Sequence, residues 1–306
     1  MIDGGKMNGK KAAASAKNSS ADQVQAGTVG AEEGARSAYE EEGTRSAYEK
    51  EHSGVVDPRC IPQTLESAPP IGDEIEYPGY SPQDHQTWRI LVNRQMAMLP
   101  GHASQAFLRG VDMFGLQTDR IPALKNLDRV LRSATGWRVA RIPGLLHERD
   151  FFTLLANRSF PSTDYIRRND ELDYTPAPDL FHDIFGHMPM LTQPEFADFY
   201  QMFGQASLKA MGSDRPRLER LHWFTVEFGL IRQENGIRIF GAGILSSRNE
   251  VKHALSDKVT RLPFAADTIV EQDYDVWHLQ DVLFVLDSFD QLVDGFRKWA
   301  AIKELL

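Results

Sequence analysis

The sequence predicts one mainly α-helical domain over residues 76–306, with small β-hairpins, behind a disordered tail of residues 1–75. Two observations favour this organisation. The tail is rich in Gly, Ala, Ser, Lys and Glu and holds few large apolar side chains, so it cannot offset the entropy lost on ordering. Beyond it, apolar residues recur at the three- and four-residue spacing of amphipathic helices, and strand-like segments are few and short.

The tail carries a nine-residue tandem duplication, EEGARSAYE at 32–40 followed directly by EEGTRSAYE at 41–49. Two short copies are too few for a solenoid. We interpret them as a slipped duplication in a neutral tail, with a regulatory or docking segment as the alternative.

Helices are predicted in the first half of the domain at 83–99, 103–114, 124–133 and 150–157, the first of them ended by Pro100 and Gly101. Between the last two, WRVARIP at 137–143 alternates apolar and basic residues as a half-buried strand does. In the second half we expect long helices at 195–211 and 217–230 and a hairpin turn at Asn235–Gly236. A helix capped by Ser246 or Ser247, a strand at 282–286 and a closing helix at 288–305 complete the domain.

Charge and composition indicate a small-molecule partner. The net charge is −9 and no basic block stands out, which argues against nucleic acid and anionic membranes. No run approaches the ~20 apolar residues of a membrane helix, and no secretory signal opens the chain. Cys60 is the single cysteine, so no intramolecular disulfide can form and a reducing cytoplasm is the expected compartment.

Two histidines and one carboxylate indicate a metal site. His182 and His187 lie five residues apart in an apolar stretch, and Glu227 is the only acid in LHWFTVEFGLI at 221–231. A carboxylate in such surroundings must be compensated. Two histidines and a separate carboxylate are the ligands of mononuclear non-haem iron(II) oxygenases, and we predict that these three residues form that triad.

The spacing of the histidines requires a distorted helix. Residues five apart on a regular helix point about 140° from each other, so one ion cannot bind both. A wider turn with five-residue hydrogen bonding brings them closer, and Gly186 and Pro189 favour such a distortion.

Several alternatives stay open on the residues alone. The histidines can be interior rings bonded to carbonyls or acids, and Glu227 can pair with Arg238 or Arg232. The spacing does not match the H-E-x-x-H pattern of zinc proteases, and the absence of thiolates disfavours structural zinc. Asp183 can orient a histidine or bind a second substrate. Arg167 can be a carboxylate-binding fork, a surface cation, or the partner of a nearby acid, Glu171 or Asp173.

The chain resembles the pterin-dependent aromatic amino acid hydroxylases. Five motifs in the order of that family lie between residues 142 and 247 of the predicted domain: IPGLLHERDFF at 142–152, DYIRR at 164–168, LDYTPAPDLFHDIFGHMPML at 172–191, WFTVEFGL at 223–230 and IFGAGILSS at 239–247.

The resemblance implies a monooxygenase that uses O2, Fe(II) held by the predicted triad, and tetrahydrobiopterin or a related tetrahydropterin. It implies that the pterin lies along Gly144, Leu145 and Leu146, stacks on Phe151 and comes near Asp183. It assigns the polar end of the amino acid to Arg167, Thr175, Ser246 and Ser247, and the wall of the side-chain pocket to Pro178, Trp223, Phe228 and Gly243.

Within the family, Trp223 and Val276 resemble the phenylalanine enzymes, so L-phenylalanine is the expected substrate, with tyrosine or tryptophan as alternatives. The chain departs from the family pattern at His222, where tyrosine is usual, at Ala177, where glutamate is usual, and at His147–Glu148. Its length resembles the compact bacterial type, which implies a monomer. From other classes, a zinc-dependent hydrolase using the same ligands and an inactive binder remain as competitors.

Overall fold

Ten α-helices and six β-strands make up the part of the chain that the computed structural model describes, namely residues 57–116, 119–173, 175, 177–276 and 278–306. These residues all belong to one compact unit. The duplication at 32–49 lies outside the described residues. Mainly helical architecture with small sheets confirms the predicted fold class.

The first half of the domain follows the predicted order of elements and adds a strand at Ser159–Thr163 that was not predicted. Ser81 caps the first helix by accepting a hydrogen bond from Asp84 N, and Gly115 and Gly136 end the second and third in left-handed conformations. The elements are α1 (Pro82–Met96), α2 (Gln105–Phe114), α3 (Leu124–Thr135), β1 (Arg138–Ile142), α4 (Glu148–Ala156) and β2 (Ser159–Thr163).

In the second half, the long helix predicted at 217–230 is wrong beyond His222. The α-helix ends at His222, a π-helical turn follows at Trp223–Glu227, and a strand begins at Leu230. Gly229 stops the helix because its carbonyl accepts hydrogen bonds from Phe240 N and Gly241 N instead. The elements are α5 (Pro194–Lys209), α6 (Asp214–His222), β3 (Leu230–Gln233), β4 (Gly236–Ile239), α7 (Ala242–Leu245), α8 (Arg248–Ala254), β5 (Thr260–Pro263), α9 (Ala266–Ile269), β6 (Val282–Leu286) and α10 (Phe289–Ile302).

The six strands form two small sheets, one of two strands and one of four. Strands β1 and β2 pair in parallel, with Arg138 opposite Ser159 and Ile142 opposite Thr163. The second sheet has the order β4-β3-β6-β5, in which β3 and β4 form the predicted hairpin and β6 runs parallel to both of its neighbours. Gly236 closes the hairpin with φ of 108°, a conformation that favours glycine.

The main core is aromatic and lies around α5. Trp137 stacks on Tyr200 at 5.9 Å between ring centres, and Phe181 stacks on Phe185 at 5.0 Å. Since Phe181 and Phe185 flank His182, the core fixes the segment that carries the predicted metal ligands. None of the helices described has the length and apolar character needed to cross a bilayer.

Residues 57–72, which we call the N-terminal strap, fall in the predicted tail but contact the domain. Arg59 makes two hydrogen bonds to the Glu171 carboxylate, at 2.6 and 2.9 Å. Gln63 pairs with the loop before α4: its N–H donates to Leu145 O at 2.8 Å, and its carbonyl accepts from His147 N at 2.9 Å. The described part of the predicted tail is therefore packed.

The strap also completes a small hydrophobic cluster that is separate from the main core. Leu65 and Ile71 pack against its buried members, which are Ala140, Ile142, Leu146 and Leu154.

Close packing at Gly186 predicts an effect of Gly186→Ala on stability. A Cβ at this position would lie 2.9 Å from Ala242 O and 3.1 Å from Ala242 Cβ. We expect the variant to lose about 1–3 kcal/mol of unfolding free energy through overpacking. Denaturant unfolding measures the loss. Gly79→Ala is the control, since no atom lies within 4 Å of its Cβ position, and equal effects of the two variants would contradict the packing argument.

A buried carboxyl predicts the pH dependence of stability. Glu250 Oε2 is buried without a hydrogen-bond partner among the described residues, and burial raises the pKa of this carboxyl from 4.5 to about 7. The folded state holds the Glu250 proton more tightly than the unfolded state does. The free energy of unfolding that this bound proton contributes is therefore fully present below pH 4.5 and is lost as the pH rises through about 7.

Glu250→Gln removes this titrating group. Between pH 4.5 and 8 the free energy of unfolding of the variant should therefore fall by about 2–3 kcal/mol less than that of the wild type. Urea unfolding of both proteins from pH 4.5 to 8 measures the difference, and parallel pH profiles would contradict it.

Candidate active site

The structure brings the three predicted metal ligands together. His182 Nε2 and His187 Nε2 lie 2.9 Å apart, and Glu227 approaches the two nitrogens with its carboxylate oxygens at 3.6 and 3.1 Å. One donor atom from each residue lies within 4.8 Å of the others. The three atoms converge on one point, as ligands of a single ion do.

Two π-helical turns position these ligands. The turn at His182–His187 confirms the predicted distortion, and the rings meet edge to face at 4.7 Å between their centres. Glu227 ends the second turn, which the sequence reading missed. Such turns add a residue to the helical repeat and are frequent at functional sites. Ala242 lies against Gly186 and holds α7 on the first turn.

Ser246 fixes the tautomer of His182. Its Oγ donates to Ala242 O at 2.8 Å and lies 2.9 Å from His182 Nδ1. Because the hydroxyl hydrogen is used on the carbonyl, Oγ accepts from Nδ1–H, and the lone pair of Nε2 points at His187 and Glu227. A lone pair on His182 Nε2 can take no hydrogen bond from an ionised carboxylate, so its direction towards Glu227 suits an ion better than a satisfied interior histidine.

Electrostatics favour the ligand-ready charge states. Burial lowers the pKa of His182 to about 4, so the ring is neutral at pH 7. Burial also opposes the Glu227 anion, but His187 and His182 outweigh it and hold the pKa of that carboxyl well below its usual range. A neutral His182 imidazole beside an ionised Glu227 carboxylate fits a divalent ion. The alternative partners of Glu227, Arg232 and Arg238, instead bond to Asp287 and to backbone carbonyls.

Arg167 forms a carboxylate fork inside the chain. Its Nε and Nη2 donate to the two oxygens of Asp179 at 2.9 and 2.8 Å, and both side chains are at least 95% buried. The predicted partners Glu171 and Asp173 pair with Arg59 and Arg94 instead. Nη1 of Arg167 makes no hydrogen bond to the residues described.

Asp179 is the residue that sequence reasoning missed. It accepts from the backbone N–H of Arg167 at 2.9 Å and of His182 at 3.0 Å, so it ties the fork to the start of the metal-binding turn. Burial raises the pKa of this carboxyl, but Arg167 outweighs it and lowers the pKa. An acid three residues before the first histidine was the available signal.

Asp183 faces the end of β2 rather than a histidine. It accepts from Thr163 N at 2.8 Å, and burial raises its pKa well above the ordinary value. The interpretation of Asp183 as an orienting group for a histidine has no contact to support it, because the observed partner of His182 is Ser246.

The loop assigned to the pterin joins β1 to α4 beside the triad. It contains Gly144, Leu145 and Leu146, and the nearest atom to a Cβ at Gly144 would be Gln63 Nε2 at 3.8 Å. Phe151 on α4 meets the His222 ring edge to face at 6.1 Å, and His222 adjoins Glu227.

Aromatic rings line the segment after α6. Trp223 stacks on Phe228 at 4.5 Å and on Tyr274 at 4.6 Å, and a Cβ at Gly243 would reach the Phe228 ring at 3.1 Å. The indole Nε1 of Trp223 is buried and has no hydrogen-bond partner in the described part of the chain.

The other residues assigned to the amino acid lie in turns. Thr175 Oγ1 donates to Ala177 O at 2.8 Å, and Pro178 O accepts from the Tyr165 hydroxyl at 2.6 Å. Ser247 caps α8, where its Oγ accepts from Glu250 N at 3.4 Å.

The departures from the family pattern have identifiable neighbours. His147 stands at the start of α4, with its Nδ1 3.5 Å from Arg149 N, so it occupies the capping position that a small polar residue fills elsewhere. Ala177 is buried. His222 Nε2 lies 3.0 Å from the Tyr200 hydroxyl, and burial lowers the pKa of this ring to about 4.

Curated relatives with this sequence pattern include the phenylalanine-4-hydroxylase of Ralstonia nicotianae. It is 47% identical over 221 residues, which cover 71% of this chain and 70% of the relative. The phenylalanine-4-hydroxylase of Pseudomonas aeruginosa is 44% identical over 213 residues, covering 70% and 81% of the two chains.

Solved structures of Chromobacterium violaceum phenylalanine hydroxylase share the fold. One holds iron(III) and oxidised 7,8-dihydrobiopterin; it matches with a TM-score of 0.71 and 42% identity over 74% of this chain and 83% of that one. Another holds iron and phenylalanine and matches with a TM-score of 0.68 and 41% identity, over 72% and 83% of the two chains.

The family model for biopterin-dependent aromatic amino acid hydroxylases matches residues 48–304. The match includes all the residues of the converging metal triad and both π-helical turns. The chain belongs to the biopterin-dependent aromatic amino acid hydroxylase family.

Proposed function

We propose that this protein hydroxylates L-phenylalanine to L-tyrosine with O2, Fe(II) and tetrahydrobiopterin or a related tetrahydropterin. The convergence of His182, His187 and Glu227 within 4.8 Å, in a chain of this family, carries the proposal. The relatives named phenylalanine-4-hydroxylase support the choice of substrate.

The triad would hold iron on one face and leave the opposite face open for reactants. Ferrous iron and tetrahydropterin together supply the activation of O2. The protein's own contribution is to keep two imidazole lone pairs and one carboxylate converged, which Ser246 and the two π-helical turns achieve.

The amino acid's polar end would bind at Arg167, Thr175, Ser246 and Ser247. The Arg167 guanidinium is held rigidly by Asp179 through Nε and Nη2, so Nη1 is the group left to meet a substrate carboxylate. Since Ser246 already bonds His182, its contact with substrate would be coupled to the metal site.

The ring of the amino acid would pack against Pro178, Trp223, Phe228 and Gly243. Stacking of Trp223 between Phe228 and Tyr274 holds the indole in one orientation, which defines a rigid aromatic wall. Proximity of Gly243 to the Phe228 ring supports its place in that wall.

The pterin would lie along Gly144, Leu145 and Leu146, stack on Phe151 and come near Asp183. A raised pKa keeps the Asp183 carboxyl protonated over a wider pH range, so the group can donate as well as accept a hydrogen bond. The strap residue Gln63 supports this loop through its backbone.

Iron oxygenase chemistry explains more of the site than zinc hydrolysis does. A hydrolase needs the same three ligands and a water, but it has no use for a guanidinium fork or for an aromatic wall. We further propose that the protein works as a monomer in the reducing cytoplasm, in keeping with a sequence that contains a single cysteine, the buried Cys60.

The reaction itself is tested with iron-loaded protein and tetrahydropterin. Given phenylalanine, the wild-type chain should form tyrosine only when both O2 and pterin are present. His187→Ala and Glu227→Ala should lose at least about 100-fold in rate, because each removes a metal ligand. Chromatography of the amino acid products measures turnover, and circular dichroism checks that the variants fold. Pterin-independent activity on an ester or amide would instead favour the hydrolase.

Substrate choice is tested at the aromatic wall. Trp223→Phe enlarges the pocket, so the ratio of kcat/KM for tryptophan to kcat/KM for phenylalanine should rise several-fold. A small change in the size of a hydrophobic pocket alters discrimination between substrates by ~1–3 kcal/mol. Competition assays with both amino acids measure the ratio. Phe114→Leu, at the end of α2 and outside the residues assigned to the pocket, is the control and should leave this ratio unchanged. An unchanged ratio in Trp223→Phe would contradict the assignment of Trp223 to the pocket.

A further inference from the structure

His222 joins a buried phenol to the metal-binding carboxylate. It ends α6, and its Nδ1 lies 3.9 Å from Glu227 Oε1. On the other side of the ring, Nε2 lies 3.0 Å from the Tyr200 hydroxyl oxygen. The Tyr200 and His222 rings also stack, with centres 5.7 Å apart and planes at 29°. The ring is therefore held from both its edge and its face.

The hydroxyl of Tyr200 determines which nitrogen of His222 carries a hydrogen. Tyr200 is fully buried, and His222 is its hydrogen-bond partner. A phenol that donates to Nε2 leaves the ring proton on Nδ1, which faces Glu227. The other tautomer would leave the phenolic hydrogen unpaired and set a lone pair against a carboxylate. In a doubly protonated ring Nδ1 also carries hydrogen, so Nδ1–H faces Glu227 in either charge state.

Metal binding makes this contact more important to Glu227. When His182 and His187 direct their Nε2 lone pairs at an ion, neither ring can donate a hydrogen bond to the carboxylate from those nitrogens. The Nδ1–H of His222 still faces Oε1 in that state. Groups of this kind orient metal ligands and raise their affinity for the ion.

We propose that His222, oriented by Tyr200, is a positioning residue that holds Glu227 in its metal-binding orientation. The proposal rests on the proposed metal centre and explains how this chain accommodates histidine where its family usually has tyrosine. His222 adds no fourth ligand, because its Nδ1 lies outside the cluster of converging donor atoms. It acts on the ion only through Glu227.

Metal titration of the full-length protein tests this without using turnover. Chelator-treated wild type, His222→Phe, His222→Tyr and Tyr200→Phe are titrated anaerobically with Co(II) and with Fe(II), and Co(II) binding is followed by its visible absorption. The His222 Nδ1–Glu227 Oε1 distance of 3.9 Å is an electrostatic contact longer than a hydrogen bond. We therefore expect His222→Phe to weaken binding several-fold, less than the about 10- to 100-fold that follows the loss of a hydrogen-bonding partner of a metal ligand. Tyr200→Phe should fall between it and the wild type, since the ring then loses its fixed tautomer.

Rescue distinguishes positioning from simple packing. His222→Tyr restores an O–H donor on a ring, so it should recover most of the affinity that His222→Phe loses. The matched control is His253→Phe, which removes a partly buried histidine bonded to Gln280 O and should leave affinity unchanged. Thermal unfolding of the metal-free variants shows whether a change in affinity merely follows a loss of fold.

The outcomes separate this proposal from the proposed function. If the wild type binds neither metal, the metal centre itself fails. If the wild type binds and His222→Phe binds equally well, the positioning role is overturned while the centre stands. Complete loss of binding in His222→Phe, as in His187→Ala, would instead make His222 a ligand and also overturn the proposal.

Discussion

Burial of the Glu227 carboxylate is the constraint on which the site depends. An anion among aromatic rings is unstable unless positive or hydrogen-bearing groups face it, and two histidines converge on it from a separate segment. Their approach requires a π-helical turn. Gly186 in that turn packs closely on Ala242, and Ser246, which follows on the same segment, bonds His182. The packing of the segment that carries the histidines and the metal-binding chemistry therefore both depend on the charge of Glu227.

The triad, the first π-helical turn and the order of the main elements could be predicted from the sequence. Local spacing supports such predictions, since five residues between two ligands exclude a regular helix. The second turn could not be predicted, because the residues at 217–230 continue a helical pattern and only the remote strand around Phe240 draws Gly229 out of it. Tertiary hydrogen bonds overrode local preference there.

The partner of Arg167 shows the same limit. Sequence proximity pointed to Glu171 or Asp173, yet the structure pairs Arg167 with Asp179, while Glu171 binds Arg59 of the strap. An arginine can pair with an acid near it in sequence or with one that the fold brings close to it. The periodicity of the sequence does not show which of these acids is the partner. The wall formed by Trp223, Phe228 and Tyr274 was predictable only in part, because Tyr274 reaches the indole from a different segment.

The N-terminal strap has a consequence for how the molecule opens. Two of its hydrogen bonds, from Leu65 to Asp150 and from Arg59 to Glu171, join residues 85 and 112 positions apart. Its apolar side chains pack on a cluster that is separate from the main core. Contacts of such long sequence separation carry a large loop-closure cost, and a small separate cluster can detach without breaking the large one. The strap is therefore a unit of local unfolding in its own right. Its release would free the loop at Leu145–His147 and the turn at Glu171 together, which makes amide hydrogen exchange at these two places cooperative.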